Sequence, residues 1–590
     1  MDRSRSRRPP REERQPRTSA ARRRVGNQLS GDVGRPQPPI SDYAMLGDTR
    51  TAALVSRDGS IDWLCWPRYD ADPLFGRLLD APGGGHFRFW VKGGRAAARA
   101  YHERSPVLET SINAPGGKAR LVDAMPFRRR QGPIVVRRLE CITGRLEPVL
   151  EYAPARRGLT NLVGWKDEPL QAGESIMVVL TDRGDDYPVD RALRLVQRSE
   201  RWWNEWCAQI NPGTTYADLL IRSLITLRLL TYTPSGAPVA APTTSLPEEI
   251  GGVRNWDYRY AWPRDASVGV AAMIAAGHTD AAESFLGWLV HHASGRRGLR
   301  PMYRVDGGRV PRECEMPGLA GYHGSRPVRF GNRAAEQTQL DVAGWVIDAL
   351  WTFVSGGHKL HPKSWATVAR YADQTMRRWR DPDCGLWEVR DRPRHYVHSK
   401  VWAWIALDRA VRIAETLDVA PRKRFAWAGE RDRLHTEIRR RGYNARLGYT
   451  RSYGSNDLDS AALLLPLTGC EPDRRRLEVT VDAIRKQLSA GGPLLYRYPP
   501  GEDALPGGEG AFVPCTFWLL EALIRLGRAD EGRELFEQLL GLTNELRLLP
   551  EEIDPVSGAY LGNYPLALSH AGMVHAILEI QIAAGERDAY

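Results

Sequence analysis

Two glutamates, far apart in a chain of 590 residues, stand where acid–base chemistry would need them. Glu388 lies in DCGLWEVRDRPRHYVHSK, directly after Trp387, and Glu551 lies in LPEEIDPVSGAYLGNYPLALSH, between Pro550 and Glu552. Both fall at breaks between helix-like segments. Cleavage of a glycosidic bond needs two carboxyl groups on opposite sides of a sugar oxygen, with environments that push their pKa values apart. Glutamate is also common and usually solvated, so neither residue alone decides the matter.

Upstream of both lies GGVRNWDYRYAWPRDAS, residues 251–267. It crowds Arg254, Asn255, Trp256, Asp257, Tyr258, Arg259, Tyr260, Trp262, Arg264 and Asp265 together. Neither a helical nor a strand period explains that order. Aromatic faces can stack on a pyranose ring, and Arg and Asp can hold its hydroxyls by charge-assisted hydrogen bonds. The competing reading is a structural Arg–Asp network tying helix ends together. Arg264 and Asp265 are the strongest sugar-binding candidates.

These residues need a scaffold. From about residue 214 the apolar period is helical, as in TTYADLLIRSLITLRLLTY, AEQTQLDVAGWVIDALWTFV and HSKVWAWIALDRAVRIAETL. About twelve such segments follow, enough for six helical hairpins, and no fixed repeat marks a solenoid. Long connections alternate with short ones, at 236–263, 295–334, 382–397, 443–456, 491–511 and 544–564. Loops of that length in a compact helical domain are usually functional, and both glutamates lie in them. Residues 40–185 read instead as short strands divided by Gly, Pro and charged turns, with Asp58-Gly59 at one turn.

The net charge of +12 is uneven: residues 1–40 hold eleven Arg against four acidic residues. This Arg-, Pro- and Ser-rich tail, residues 1–38, has too little apolar content to fold and reads as disordered. It lacks the apolar core of a signal peptide, and no run of apolar residues is long enough to span a membrane. The seven cysteines are scattered without a CxxC pair, which favours reduced thiols, a cytoplasmic location and no zinc site. Neither nucleic acid nor a membrane is an expected partner, and oligomeric state is open.

Five segments resemble glycoside hydrolase family 15, the family of glucoamylases and a bacterial group of trehalases. They are ISDYAMLGDTRTAALVSRDGSIDWLCWPRYDADPLFGRLLD, APTTSLPEEIGGVRNWDYRYAWPRDAS, GSRPVRFGNRAAEQTQLD, GLWEVRDRPRHYVHSK and EEIDPVSGAYLGNYPLALSH. They occur in the family's order over roughly residues 39–585. The resemblance implies a mainly α fold, an (α/α)6 barrel at 214–590, after an N-terminal β-sandwich at 39–190 and a linker helix at 191–213. The stretch around 151–173 implies a sandwich shorter than usual.

The resemblance also implies inverting hydrolysis of an α-glucoside, trehalose or a short maltooligosaccharide, without cofactor or metal. It carries the general acid onto Glu388 and the base onto Glu551. Arg264 and Asp265 match the grip on the terminal glucose; Trp256, Trp262 and Trp387 match wall positions. Glu552 is expected to orient the base or meet the second sugar. Arg326, with Arg329 and Asn332, is a candidate for the leaving-group subsite. Glu313 and Glu315 read as solvated or structural, His395 and His398 as capping or hydrogen-bonding groups, and Tyr303, His570 and Asp457 as pocket edge. A carbohydrate sensor that no longer hydrolyses, or a sugar phosphorylase, are the alternatives.

Overall fold

The architecture comes from a computed structural model that describes residues 35–128, 132–184, 187–293 and 299–588. The N-terminal part is a sandwich of two antiparallel sheets. One contains Ala44–Gly47, Ala52–Val55, Ser60–Cys65, Pro73–Phe75, Gly85–Val91 and Pro148–Pro154. The other contains Arg95–Tyr101, Leu108–Ala114, Gly117–Ala124, Ile134–Leu146, Asn161–Val163, Leu170–Gln171 and Ser175–Thr181. Alternation does the layering: along Leu108–Ala114, Leu108, Thr110 and Ile112 are buried while Ser111 and Asn113 are exposed. Gly59 turns the expected Asp-Gly hairpin at φ 74°, and a Cβ there would strike the Trp90 ring and the Phe89 carbonyl. Arg137 ties the layers, pairing with Asp123 at 2.7 Å and donating to the Phe87 carbonyl of the facing sheet.

Thirteen α-helices follow among the described residues. The first, α1 (Val189–Cys207), packs Ala192, Leu195 and Val196 against Ile134, Val136 and Val179 of the sandwich. The barrel helices are α2 (Ala217–Leu229), α3 (Pro263–Ala275), α4 (Thr279–Ala293), α5 (Val342–Ser355), α6 (Pro362–Arg378) and α7 (Val397–Thr416). They continue with α8 (Pro421–Arg441), α9 (Leu465–Thr468), α10 (Arg474–Gln487), α11 (Val513–Arg525), α12 (Ala529–Leu540) and α13 (Ala567–Ala583). The short α9 prolongs a 3-10 turn at Ser460–Leu464. α3 packs on α5 and α5 on α7; α7 meets the 3-10 turn that leads into α9, α9 packs on α11, α11 on α13, and α13 closes on α3, so six inner helices ring a lumen. The even-numbered helices lie outside. This is the (α/α)6 barrel that the family resemblance implies.

Apolarity separates the rings. Inner α7 buries sixteen of its twenty residues, whereas outer α8 buries three of twenty-one. One apolar core runs from the sandwich into the barrel, and polar bonds pin the joint: Trp63 Nε1 donates to the Pro242 carbonyl at 2.8 Å, and the Tyr564 hydroxyl to that of Tyr43 at 2.8 Å.

The expected tail largely lies outside the described residues, but its last four residues do not behave as tail. Arg35 pairs with Asp58, Gln37 Nε2 donates to the Leu78 carbonyl at 2.9 Å, and the Tyr322 hydroxyl donates to that of Pro38. These bonds move the start of the packed body from residue 39 to 35. Deleting residues 1–34 is expected to leave the melting temperature and turnover unchanged. Deleting 1–38 should cost about 1–3 kcal/mol, since each lost bond contributes about 0.5–1.5 kcal/mol. Thermal unfolding of the two truncated chains checks the difference.

Candidate active site

The inner helices all begin at one end of the barrel, and the pocket opens there. Its walls come from residue 240 onward, so the sandwich acts on it only through the loops it braces. Arg259 is such a brace. It pairs with Asp257 at 2.7 Å and donates to the Ala71 carbonyl of the sandwich at 2.8 Å, the structural role that Arg–Asp pairs often play. The same motif then turns Trp256, Tyr258, Trp262, Arg264 and Asp265 to the pocket. Pro263 opens α3 at a position where no amide is needed, which sets Arg264 and Asp265 in its first turn.

Glu388 lines this pocket with a left-handed backbone, φ 56°, unusual for a residue with a side chain. Gln337 holds that conformation by donating to the Glu388 carbonyl at 3.0 Å. Its Oε1 accepts from Trp262 Nε1 at 2.8 Å and from Gln339 Nε2 at 3.3 Å, with Arg264 Nη2 at 3.8 Å. Burial pushes its pKa up, and Arg264, Trp262 and Gln339 only partly offset that. Arg264 is itself fixed by Asp265 at 2.8 Å and the Leu386 carbonyl at 3.0 Å. Trp387 turns its edge to Phe512 and donates to Asp459 at 2.9 Å.

Glu551 sits behind Tyr258. Its Oε2 accepts the Asn563 amide at 2.7 Å, while its Oε1 closes no hydrogen bond. Burial and the Glu248 charge raise its pKa to about 7, against the pull of Tyr258 and the Asn563 amide. The Tyr258 ring meets the Trp262 ring edge-on at 5.5 Å, so this pair of aromatics spans the space between the two glutamates.

Glu552 points away from Glu551 into a buried ionic cluster that the sequence did not announce. Arg497 Nη2 lies 3.1 Å from Glu248, 2.5 Å from Glu509 and 3.3 Å from Glu552. Arg254 adds contacts of 2.8 Å to Asp503 and 2.9 Å to Glu509. Glu248, Glu509 and Glu552 are close enough together to ligate a cation. The Arg497 guanidinium already occupies the place such an ion would take.

Arg326 is not in the pocket. It is exposed beyond the wall and donates to the Ala320 carbonyl, because the chain turns outward before Pro327. Two other arginines flank the pocket mouth, with guanidinium groups 4.6 Å (Arg329) and 4.0 Å (Arg390) from the Trp256 ring. Glu313 holds Arg390 by two bonds, 2.8 and 2.7 Å, so it is structural rather than solvated. Arg390 lies two residues after Glu388, and that proximity was the one available signal for it. Asn332 lines the pocket, but Tyr303, His570 and Asp457 do not. Tyr303 packs on Trp288, and His570 accepts the Leu549 amide. His395 stacks on Tyr453, while His398 is buried beside Trp345 and Trp402, its pKa lowered to about 3 by burial and Arg264.

Comparison with known proteins agrees with this geometry. The model of glycosyl hydrolases family 15 matches residues 214–578, and that of a trehalase-like N-terminal domain matches residues 29–178. The chain belongs to glycosyl hydrolases family 15. It is 33% identical to a trehalase of Mycobacterium tuberculosis over 95% of this chain and 92% of that one. A trehalase of Thermoplasma volcanium is 31% identical, with 93% and 95% covered. In fold the chain is similar to a bacterial glucoamylase solved with acarbose, with TM-score 0.65, 15% identity, and 94% and 97% covered. The protein is therefore a glycoside hydrolase. No described helix is long and apolar enough to cross a membrane.

The ionic cluster yields a direct test. Arg497→Met leaves Glu248, Glu509 and Glu552 without their shared cation. Removing one partner of a buried ion pair typically costs about 3–5 kcal/mol. Denaturant unfolding should show a loss of that order, and adding Glu509→Gln should recover part of it.

Proposed function

We propose that the protein hydrolyses an α-glucoside with inversion, with Glu388 as general acid and Glu551 as general base. The observation that carries the reading is the different bonding of the two carboxyls. Glu388 has both donors on Oε1, so Oε2 is left to carry a proton toward a glycosidic oxygen. Burial keeps that proton in place against the opposing pull of Arg264, Trp262 and Gln339. Glu551 has its donor on Oε2, which leaves Oε1 to accept a proton from water. An inverting pair needs roughly 6.5–9.5 Å between its carboxyl groups to leave room for this water.

Arg264 and Asp265 are the proposed grip on the terminal glucose. Asp265 uses one oxygen on Arg264, and the pocket is open to the other for sugar hydroxyls. Trp256, Trp262 and Trp387 form apolar walls that the sugar ring can stack on. Glu552, held by Arg497 and by the Gly510 amide, acts as a positioning group. The reaction calls on no cofactor, since proton transfer and a positioned water complete it.

Trehalose is the favoured substrate, because the trehalases above share about a third of their residues with nearly the whole chain. A short maltooligosaccharide would use the same first subsite. Trp256, fixed between Arg329 and Arg390, is the proposed wall for the second glucose.

Incubation of the purified protein with trehalose, maltose and isomaltose decides the substrate. Fresh product read by proton NMR should be β-glucose from the attacked residue. Initial α-glucose from both halves of trehalose would end the inverting mechanism. Glu551→Gln and Glu388→Gln should each lower kcat by about 10²–10⁴-fold.

The pH profile separates the roles. The base must be ionised, so kcat/KM falls as pH drops through the Glu551 pKa; the acid must be protonated, so it falls again as pH rises through that of Glu388. With Glu551 raised to about 7, the acidic limb should lie above the ordinary carboxylate range. Glu248→Gln removes a raising charge and should move that limb to lower pH. An unmoved limb would assign it to another group.

A further inference from the structure

The other half of the barrel lumen holds a second cavity, about 190 Å³ against about 90 Å³ for the pocket beside Glu388. All six inner helices line it, through residues farther along each helix than those at the active site. Indole side chains of Trp345, Trp402 and Trp518 form much of its wall. Such a wall alone would be packing space. Its acidic residue makes it more than that.

Glu521 opens onto this cavity from the middle of α11, with only 7% of its surface exposed. Among the described residues it has no hydrogen-bond or ion-pair partner. The other charges there are matched: Arg525 holds Glu579 at 2.5 Å, and Arg409 holds Asp348 at 2.8 Å. His575 is bonded through Nε2 to the Val268 carbonyl at 3.2 Å, and burial keeps it neutral. Burial and the Glu579 charge push the pKa of the Glu521 carboxyl well up, and the Arg525 charge only partly offsets them.

Polarity favours one class of ligand. Three carboxyl groups, Asp348, Glu521 and Glu579, line the cavity against two guanidinium groups, Arg409 and Arg525, so an ionised Glu521 leaves one negative charge over. A carboxyl without a cation, faced by aromatic side chains, is the chemistry that receives organic ammonium ions. An anion would meet Glu521, Glu579 and Asp348 together. A neutral sugar would meet the carboxyl through hydroxyls alone and bring no charge to match it.

We propose that this chamber binds a small organic cation of the alkylammonium class, its charge on Glu521 and its carbon skeleton against the tryptophans. The site is separate from the catalytic pocket, and it touches that pocket through Trp518, whose ring lies 5.9 Å from that of Trp387. Binding exchanges the Glu521 proton for the ligand's charge, so affinity rises with pH.

Calorimetry on the full chain tests this with choline and tetramethylammonium as probes, and glucose and inorganic phosphate as comparisons. Glu521→Gln preserves shape and should weaken choline binding by about tenfold or more, the loss expected for one charge-assisted contact. Ala271→Phe should fill the cavity and abolish binding. Hydrolysis retained in both variants reports an intact fold. Should Ala271→Phe fail to fold, Glu521→Gln still decides. Saturable choline binding that tightens with pH and weakens in Glu521→Gln supports the site. No saturable binding of either ammonium, equal affinity for glucose or phosphate, or unchanged affinity in Glu521→Gln would overturn it.

Discussion

The Arg497 guanidinium fixes the active-site end of this barrel. One buried cation meets Glu248, Glu509 and Glu552, from three separate loops, and its other sides face Tyr498, Phe512 and Trp387. Carboxylates out of water cost several kcal/mol each unless paired, so these loops have few alternatives to converging on it. Strand pairing completes the constraint. Ala511–Phe512 pairs with Glu552–Ile553, and the Val513 amide donates to the Glu551 carbonyl at 3.0 Å. Glu551 is thus placed by its backbone, by its neighbour and by the Asn563 amide on Oε2, leaving only its Oε1 without a hydrogen bond.

Glu388 is placed by a different means, through helix starts. Asp459 caps a helical turn by accepting the Ala461 amide, and the same oxygen accepts Trp387 Nε1. Arg264, in the first turn of α3, reaches the Leu386 carbonyl. Two helical N-termini therefore hold Leu386 and Trp387, the two residues just before the glutamate's bend. Positive helix ends also favour the carboxylates gathered at this mouth. A helical ring with its starts at one end is a scaffold that supplies both position and field.

Much of this was legible in the sequence. Helical periods and alternating loop lengths gave the helices and their hairpins, because an inner helix must be apolar all round and a hairpin return can be short; that the hairpins close into a ring came from the family resemblance. The 251–267 motif stood out because its polar and aromatic residues obey no period, and five of them face the pocket. What could not be read was pairing at a distance. Nothing local in YRYPPGEDALPGGEG says that Arg497 meets Glu248, nearly half a chain away. Arg326 and Arg329 sit three residues apart in one motif, yet only the second reaches the Trp256 ring. Glu521 and Trp518 read as ordinary core of an amphipathic helix, since the lumen they face exists only once six helices have closed.

Recognition beyond the first sugar follows from how the mouth is built. Trp256 has no freedom: Glu248 accepts its Nε1 at 3.1 Å, while Arg329 and Arg390 cover its ring. Both arginines are answered by Glu313, so the charges stay in place without a substrate. A wall held that firmly discriminates by shape, since moving it would break several charge-assisted bonds at once. On the proposed reading, the compact second glucose of trehalose fits such a wall better than a long flexible oligosaccharide would. The loop carrying Glu313 and Arg329 then sets substrate length, while Arg264 and Asp265, anchored in the barrel itself, serve any glucose that enters first.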